Sequence, residues 1–560
     1  MAVCPNCGGM LRFDIAGQCM KCDSCTSTFD PYAFQYGGSA EESTEYDVTV
    51  FKCPQCGGEI FSTDQTAAGF CSYCGSSNVL ESHLTKEKRP EFIIPFKKTK
   101  EDCKNIFKSH TKKALFAPAD FKSEGRIDSF RGIYMPYWLY DMSQSNPIDV
   151  KTSTSHRRGD YIITDHYICG GFLDCSYNGV SYDASSAFAD DISNEIAPFN
   201  VKDITEFSPA FLSGFYADLA DVPVNTYEDA AIDLAQEGTY NYIKKSSPMS
   251  KESFDESKAA VKGRIKTEIN AERSAMFPVW FMTYRNRDRV AYATVNGQTG
   301  RVSSDIPVSV PKYLLCAGII AVILFFIFQM FFTLLPGTVL TIIGFVSLIS
   351  GIMYASQMKS IVAQENHDDD LGLRSRMDKK KQSRLDAQKG AYFADTDEPF
   401  VLTERDIKNN KRRRKEAKKN ENKGTYIVLI VAMIFIGIPI LFSVFGGLLT
   451  FAFSGSILST VIVGLSLLVN IILTVTSSRN IKLMDSKKGI SSLLWMVMGL
   501  GISLGVLIVN PVADIIYYIA AVAAMVGILI ALIDMILCYN LLAMRPLPQF
   551  EMYKGGDDRA

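Results

Sequence analysis

The stretch CPQCGGEIFSTDQTAAGFCSYCG runs from Cys53 to Gly75 and holds two Cys-x-x-Cys pairs with fourteen residues between them. A near-copy lies upstream. Cys4-Pro5-Asn6-Cys7-Gly8-Gly9 is followed, again after fourteen residues, by Cys22-Asp23-Ser24-Cys25. The offset between the copies is 49 residues, Cys4 to Cys53. Two chance matches at one interval are improbable. A two-residue gap lets both thiolates of a knuckle reach one ion, and zinc takes four such soft ligands in a tetrahedron. The glycines after the first knuckles suit tight turns whose N–H groups point at sulfur. The intervening residues are long enough for a hairpin that brings the second knuckle back. The spacing therefore predicts two zinc ribbons and two zinc ions, held by Cys4, Cys7, Cys22 and Cys25 and by Cys53, Cys56, Cys71 and Cys74.

A disulfide framework would need an oxidising compartment. Met1 to Gly9 is neither basic nor apolar enough for a signal peptide, so none is expected. Cys19 precedes Cys22 by three, so Cys19/Cys22 could replace Cys22/Cys25, although register with the second copy favours Cys22/Cys25. Cys103, Cys169, Cys175, Cys316 and Cys538 show no such pattern and read as small buried hydrophobes.

At 560 residues the chain exceeds one domain, and its net charge of −2 says little by itself. The distribution says more. Residues 1–85 contain three basic residues, Arg12, Lys21 and Lys52, against ten acidic ones. Four thiolates on each zinc add about two further negative charges per site. Nucleic-acid binding needs Lys and Arg to displace counterions, so this surface disfavours it and favours contact with protein.

From Tyr313 onward, uncharged apolar runs alternate with charged loops. The runs are roughly 313–335, 338–356, 425–445, 448–476, 490–510 and 513–544. Each approaches the ~20 residues that a helix needs to cross the hydrocarbon core. Short turns at Pro336-Gly337, Gly446-Gly447 and Asn510-Pro511 arrange them as three helical hairpins. The loop 357–424 carries 18 Lys/Arg, and the loop 477–489 carries Arg479, Lys482, Lys487 and Lys488, whereas the hairpin tips carry none. Positive loops stay in the cytoplasm, so both termini are expected in the cytosol, with the cysteines kept reduced. The basic run 405–423 suits anionic lipid heads as well as topology.

Two features inside the membrane runs are decoys. Gly501-Ile502-Ser503-Leu504-Gly505 matches a nucleophile elbow, but it lies mid-helix with no strand before it. It reads instead as a small-residue packing face. Asp534 and Asn470 are polar within apolar runs, and a lone aspartate is thin support for transport.

The middle domain, 86–311, reads as α+β. Helices are expected at 99–116, within 186–246 and at 252–272. Strands are expected at 130–141, 146–156, 160–169, 172–183, 277–285 and 288–303. Met135-Pro136-Tyr137-Trp138-Leu139 echoes Phe277-Pro278-Val279-Trp280-Phe281, as if two half-domains each begin a sheet this way. His156, Asp160, Asp165 and His166 crowd together without a nucleophile pattern, and in a strand Asp165 and His166 point to opposite faces. With no phosphate loop, dinucleotide fingerprint or paired-carboxylate motif, no enzyme activity is expected.

The expected organisation is multi-domain: ribbon 1 (1–35), a linker (36–49), ribbon 2 (50–85), the α+β cytosolic domain (86–311), transmembrane hairpin 1 (312–356), a charged loop (357–424), hairpin 2 (425–476), a basic loop (477–489), hairpin 3 (490–544) and a cytosolic tail (545–560).

The order CPNCGG…CDSC, CPQCGG…CSYCG, IIPFKKTKED, RGIYMPYWLYD, FSPAFLSGFYAD, MFPVWFMTYR and VNGQTGRVSSDIPVS before a membrane helix resembles the bacterial TFIIB-type zinc-ribbon membrane proteins of the YdjG-like kind. The resemblance covers roughly residues 1–335, and the six-helix tail with its long basic loop goes beyond it. It implies the eight cysteines named above as zinc ligands and no catalytic residue. It also implies a membrane-bound platform in a phage-shock-like envelope-stress system, recruiting partners resembling phage-shock protein A. A nucleic-acid-binding membrane protein and a transporter using Asp534 are the alternatives.

Overall fold

The computed structural model describes residues 3–32, 45–62, 71–74, 76, 81–124, 129–246, 253–286, 289–331, 336–365, 370–372, 455–482 and 491–546. The apolar run 425–445, the start of the run at 448 and the basic run 405–423 lie outside the described residues. The chain divides into two compact units. One holds the cysteine quartets and the sheet, together with residues 370–372 and 543–546; the other holds the apolar helices.

The first unit begins with a three-stranded antiparallel sheet, β1 (Leu11–Asp14), β2 (Cys19–Cys22) and β3 (Thr28–Phe29). Next come β4 (Glu45–Lys52), β5 (Glu59–Ser62) and β6 (Glu81–Lys88), with β4 between the other two. β4 starts inside the segment expected as a linker. After β7 (Phe92–Ile93), helix α1 (Lys100–Lys112) opens on a capping box. There the Thr99 hydroxyl accepts from the Asp102 N–H while Asp102 accepts from the Thr99 N–H. α1 buries Cys103, Phe107 and Thr111, one stripe at four-residue steps.

The centre of the unit is a long hairpin, β8 (Arg131–Arg158) and β9 (Tyr161–Asp183). Each strand fuses two of the expected ones. The polar stretch Ser143-Gln144-Ser145 reads as a break in the pattern, yet β8 runs through it. Gln144 is buried there because its amide donates to Thr267 (3.0 Å) and accepts from Thr239 (2.5 Å).

Helix α2 (Asp190–Ile196), β10 (Thr205–Glu206), β11 (Tyr216–Asp218) and helix α3 (Glu228–Lys245) follow. The expected helix over 252–272 is replaced by β12 (Ser253–Phe254), the short helix α4 (Lys258–Lys262) and the start of β13 (Glu268–Asn286). Gly263 ends α4. Glu268 through Ser274 then pair with β8, so an available sheet edge overrides a helix-compatible composition. β14 (Arg289–Asn296) and β15 (Val302–Ser304) complete the domain. The α+β expectation holds, and strands β4 to β15 belong to one sheet.

The two Pro-x-Trp motifs face each other across β8 and β13. Met135 pairs with Phe277, and each proline lies one residue to its side, so the motifs are related by a local twofold through that pair. The relation extends outward. β11 pairs in parallel with Ile133–Tyr134, and β7 pairs in parallel with Ala275–Met276. Beyond the prolines, β9 pairs with β8 from Tyr137 and β14 pairs with β13 from Val279. Each proline therefore sits where its strand changes neighbour, at a point where its missing N–H costs no ladder bond. Each proline carbonyl accepts a matching bond, from Ala184 N–H (2.8 Å) and Gly297 N–H (2.8 Å). Each indole N–H donates to a loop carbonyl, Trp138 to Val222 (2.8 Å) and Trp280 to Lys98 (2.9 Å).

Strand alternation splits the core in two. Tyr134, Trp280, Met282 and Tyr284 pack with α1 and with Leu11, Phe13 and Met20. Ile133, Met135, Tyr137, Phe277 and Phe281 pack with Ile192 and Ile196 of α2.

The second unit contains α5 (Val310–Phe331), α6 (Pro336–Glu365), α7 (Gly455–Lys482), α8 (Leu493–Val509) and α9 (Asp514–Ala543). Three stretches, Pro336–Ala363, Ser459–Ile481 and Asp514–Leu541, are long and apolar enough to cross a membrane. Val310–Ile323 and Leu493–Val509 are shorter apolar helices.

α6 and α7 pack in parallel along a polar seam. Thr341 bonds Ser459 (2.8 Å), Ser347 bonds Ser466 (3.0 Å), and the Asn470 amide donates to the Ser347 carbonyl (3.5 Å). The seam advances by six residues on α6, from Thr341 to Ser347, and by seven and then four on α7, from Ser459 through Ser466 to Asn470, near the seven-residue repeat of a coiled coil.

The glycine motif on α8 requires a correction. Among the described residues nothing lies within 4 Å of a Cβ added at Gly501 or Gly505, so these two glycines do not make the contact with α9. The close approach to α9 is made by Gly499, where an added Cβ would lie 2.6 Å from Ala524 Cα, and by Gly527, 2.7 Å from the Trp495 carbonyl oxygen. Ser503 is buried and donates to the Gly499 carbonyl (3.0 Å). Asp534 accepts from Tyr354 (2.7 Å) and from Ser492, which ties α6, α8 and α9 together.

Candidate metal centres

The first four cysteines converge, with Cys4 and Cys25 sulfurs 3.6 Å apart and Cys7 and Cys22 sulfurs 3.5 Å apart. In the second set Cys53–Cys74 and Cys56–Cys71 are each 3.7 Å apart. Within each set all four sulfurs lie within 4.8 Å of one another. A tetrahedron with metal–sulfur bonds of about 2.3 Å has sulfurs about 3.8 Å apart, so both quartets fit a tetrahedral ion. Cys19 is outside the quartet; it pairs with Asp14 in the β1–β2 hairpin.

The local chain dictates this convergence. In the first knuckles Cys4 N–H bonds the Gly9 carbonyl and Gly8 N–H bonds the Cys4 carbonyl; Cys53, Gly58 and Gly57 repeat both bonds. Gly8 (φ +73°) and Gly57 (φ +69°) take the left-handed conformation that closes these turns. Cys22 N–H to Ser27 and Cys71 N–H to Ser76 shape the second knuckles alike. Amides point at sulfur as well: Gly9 N–H lies 3.4 Å from Cys7 Sγ, and Ser24 N–H lies 3.4 Å from Cys22 Sγ. Such bonds stabilise thiolate.

The quartets differ in their surroundings. All four sulfur-bearing residues of the second are buried, whereas Cys7 is exposed and Cys25 half-buried in the first. The second quartet is stitched into the main sheet. β5 pairs with β11, Thr283 donates to the Ser72 carbonyl, Tyr292 donates to the Tyr73 carbonyl (2.9 Å), and Tyr73 packs edge-on against Phe281. The first quartet docks on the opposite side of the core. Phe13 packs against Phe211 (5.0 Å), Phe13 N–H bonds the Ser213 carbonyl, and Gln18 bonds the Phe96 carbonyl (2.8 Å).

Electrostatics agree with a cation at the buried quartet. Neighbouring sulfurs, Cys53 first among them, push the Cys56 and Cys71 thiols far above the ordinary range. Four thiolates coexist in so small a space only around a positive ion. Close by, burial raises the Asp218 carboxyl to about 7, although it accepts a hydrogen bond from Ser185.

Sequence reasoning located the eight cysteines and missed Tyr73, Thr283 and Tyr292, which clamp the second knuckle. Tyr73 carried a signal, an aromatic inside Cys-x-x-Cys; the other two lie 212 and 221 residues after Cys71 and gave none. Among the remaining cysteines Cys103 and Cys538 are buried as expected, while Cys169, Cys175 and Cys316 are only partly so.

The histidine–aspartate group forms two separate pairs, His156 with Asp165 (3.5 Å) and His166 with Asp255 (2.8 Å). Ser153 donates to Asp255 (2.6 Å), that is, to the acid and not to the imidazole. This geometry does not activate the hydroxyl as a nucleophile.

Comparison with known proteins adds one relative. The chain is similar to the "Uncharacterized protein YdjG" of Bacillus subtilis (strain 168), 25% identical over 310 residues, which is 55% of this chain and 89% of that protein. No family model matches the chain, and no solved structure matches it.

Proposed function

We propose that this protein is a membrane-anchored, cytosolic zinc-ribbon scaffold that recruits partner proteins to the inner leaflet. The observation that carries the reading is the pair of tetra-cysteine centres set on an acidic surface and packed on both faces of one sheet domain. The quartets hold zinc, because four thiolates in a tetrahedron suit that ion in a reducing compartment. The ribbons and sheet serve as contact surface, and we assign them no catalysis. Partners resembling phage-shock protein A, in an envelope-stress system, are the class we favour, on the resemblance of the ordered motifs.

Six spans in three hairpins remain our assignment, and a parity argument supports it. Leu371 N–H bonds Asp190 (2.8 Å), so the chain is back at the sheet domain after α6. A final strand, β16 (Arg545–Pro546), pairs with β14, and Arg545 pairs with Asp191, so the chain is back again after α9. Between these points three described helices intervene, α7, α8 and α9. A return to the same side requires an even number of crossings, and the uncharged run 425–445 supplies the fourth. Both termini then lie with the ribbons, on the side of the positive loops.

The test is affinity capture from detergent-solubilised membranes, with the metal content of the purified chain measured in parallel. The reading expects protein partners and two zinc ions per chain. Recovery of nucleic acid in place of protein, or a zinc-free chain with intact sheet, refutes it.

A further inference from the structure

The two cysteine quartets match position for position, but the residues between their ligands differ. Asn6 stands where the second set has Gln55, and Ser24 stands where it has Tyr73. Gln55 accepts a hydrogen bond from Arg285 (3.0 Å). Tyr73 is buried with Phe51 and Ile60 against its four cysteines, and Ala187 and Tyr216 pack on the same cluster. Asn6 instead donates to Ser27 (3.0 Å), within its own module, and Ser24 is exposed. The result is unequal access to sulfur. Pro5, Asn6, Cys7 and Gly8 are exposed in succession, whereas Cys56, Gly57 and Gly58 are buried.

A cysteine that ligates a metal is deprotonated, and a thiolate open to solvent is the form that oxidants attack. Cys4 and Cys22 are buried, which leaves Cys7 as the exposed ligand of its quartet. Its sulfur lies 3.5 Å from Cys22 Sγ, with Cys4 and Cys25 Sγ within 4.8 Å. A disulfide needs sulfurs about 2.0 Å apart, so these neighbours reach Cys7 by side-chain movement within the knuckles.

We infer that Cys7 is an oxidation site for hydroperoxides, and that the first quartet, unlike the second, gives up its metal when Cys7 is oxidised. With hydrogen peroxide, the Cys7 thiolate attacks one oxygen, the O–O bond breaks and hydroxide leaves, giving the sulfenic acid. A second thiolate of the quartet attacks the sulfenic sulfur, an S–S bond forms, the S–O bond breaks and a second hydroxide leaves. The two sulfurs lose two electrons and the peroxide gains them. A quartet with two thiolates joined lacks the four ligands of a tetrahedral zinc site. Metal-binding energy is folding energy in so small a module, so residues 3–32 lose their fold. Phe13 and Tyr32 then leave Phe211, on which they pack edge-on at 5.0 and 5.6 Å, and Gln18 leaves the Phe96 carbonyl. Oxidation thereby uncovers apolar surface at Phe211 and Leu212. The inference rests on the zinc reading and adds control to it, because the contact surface changes with oxidant.

The test exposes the full chain, purified in detergent with its zinc content measured first, to hydrogen peroxide. A colorimetric chelator follows zinc release, peptide mass mapping follows disulfides, and limited proteolysis follows local unfolding. The expected result is release of one zinc per chain and retention of the other. A disulfide containing Cys7 accumulates in step with release, and new cleavage is confined to residues 3–32. Dithiothreitol with added zinc reverses all three. Cys7→His removes the thiol but keeps a ligand that zinc accepts, and it retains both zincs through the same treatment. Cys19→Ser, which removes the nearby thiol outside the quartet, behaves as wild type. A chain that starts with two zincs and loses both at one rate, keeps both, or loses one without a Cys7 disulfide overturns this inference alone. So does a Cys19→Ser chain that no longer releases zinc. A chain purified without zinc overturns the zinc reading and this inference together.

Discussion

The two cysteine quartets share spacing, turn geometry and sulfur separation, yet they occupy different environments. The second is wholly buried and continuous with the main sheet through β5 and β11. The first carries an exposed Cys7 and a half-buried Cys25 and holds to the core mainly through Phe13, Gln18 and Met20. A metal at the second site is therefore part of the domain's framework. A metal at the first orders a module that lies on that framework. One ligand pattern thus serves two structural purposes, and the packing of neighbours, not the ligands, separates them.

Removing a ligand from each site is the strongest way to break this comparison. Structural zinc contributes about 10 kcal/mol or more in isolated fingers, which rivals the whole stability of a domain. Cys56→Ala is expected to lose one zinc per chain and with it hydrogen-exchange protection across β5, β11 and β8. Cys7→Ala is expected to lose one zinc as well but to leave β8 and β13 protected. Equal loss of protection in the two variants would erase the distinction.

Phe13→Ala addresses the docking of the first module alone. Truncating this buried ring costs about 3–5 kcal/mol of docking, seen as exchange and protease cleavage confined to residues 3–32. Spread of that effect into β13 would show that the first module is framework too.

Asp218 sharpens the other side of the comparison. Its folded pKa, about 7, lies above the ordinary carboxylate value, so the folded state holds the proton more tightly. The stability this group contributes is present below about pH 4 and is lost as pH rises through about 7. Asp218→Asn is expected to match wild type in acid and to exceed it above neutrality by up to about 4 kcal/mol, read from denaturant unfolding at several pH values. A constant offset at all pH values would contradict the burial argument. The smallest effect is expected from Tyr292→Phe, about 1 kcal/mol, through loss of the bond to the Tyr73 carbonyl. That variant should leave zinc content unchanged and speed exchange near Cys71 and Cys74.

Much of this was legible in the chain itself. Cys4, Cys7, Cys22 and Cys25 and their four counterparts announce themselves because metal ligands within a knuckle are neighbours in sequence. The apolar stretches of α6, α7 and α9 are legible because a bilayer imposes a length and an absence of charge. The echo of Pro136-Tyr137-Trp138 in Pro278-Val279-Trp280 was visible too, but its meaning was not. Only the pairing of Met135 with Phe277 shows that both prolines mark the point where a central strand changes partner. Gln144 falls between the two expected strands 130–141 and 146–156 because its partners, Thr239 and Thr267, are remote in sequence. The helix expected over 252–272 failed for a related reason, since the edge of β8 was not foreseeable from local composition. Gly501 and Gly505 were chosen as packing glycines on spacing alone, whereas contact fell to Gly499 and Gly527, whose neighbours belong to both α8 and α9.

By itself the sequence determined what depends on short-range chemistry: eight thiol ligands at knuckle spacing, the apolar helices and the acidic character of the N-terminal modules. Tertiary structure alone decided which quartet is framework and which is appended, how β8 and β13 relate by a twofold, and which ligand thiol stays open to solvent. The physical reason is range. Ligand geometry and helix hydropathy act over a few residues, whereas burial and strand pairing depend on partners more than a hundred residues away.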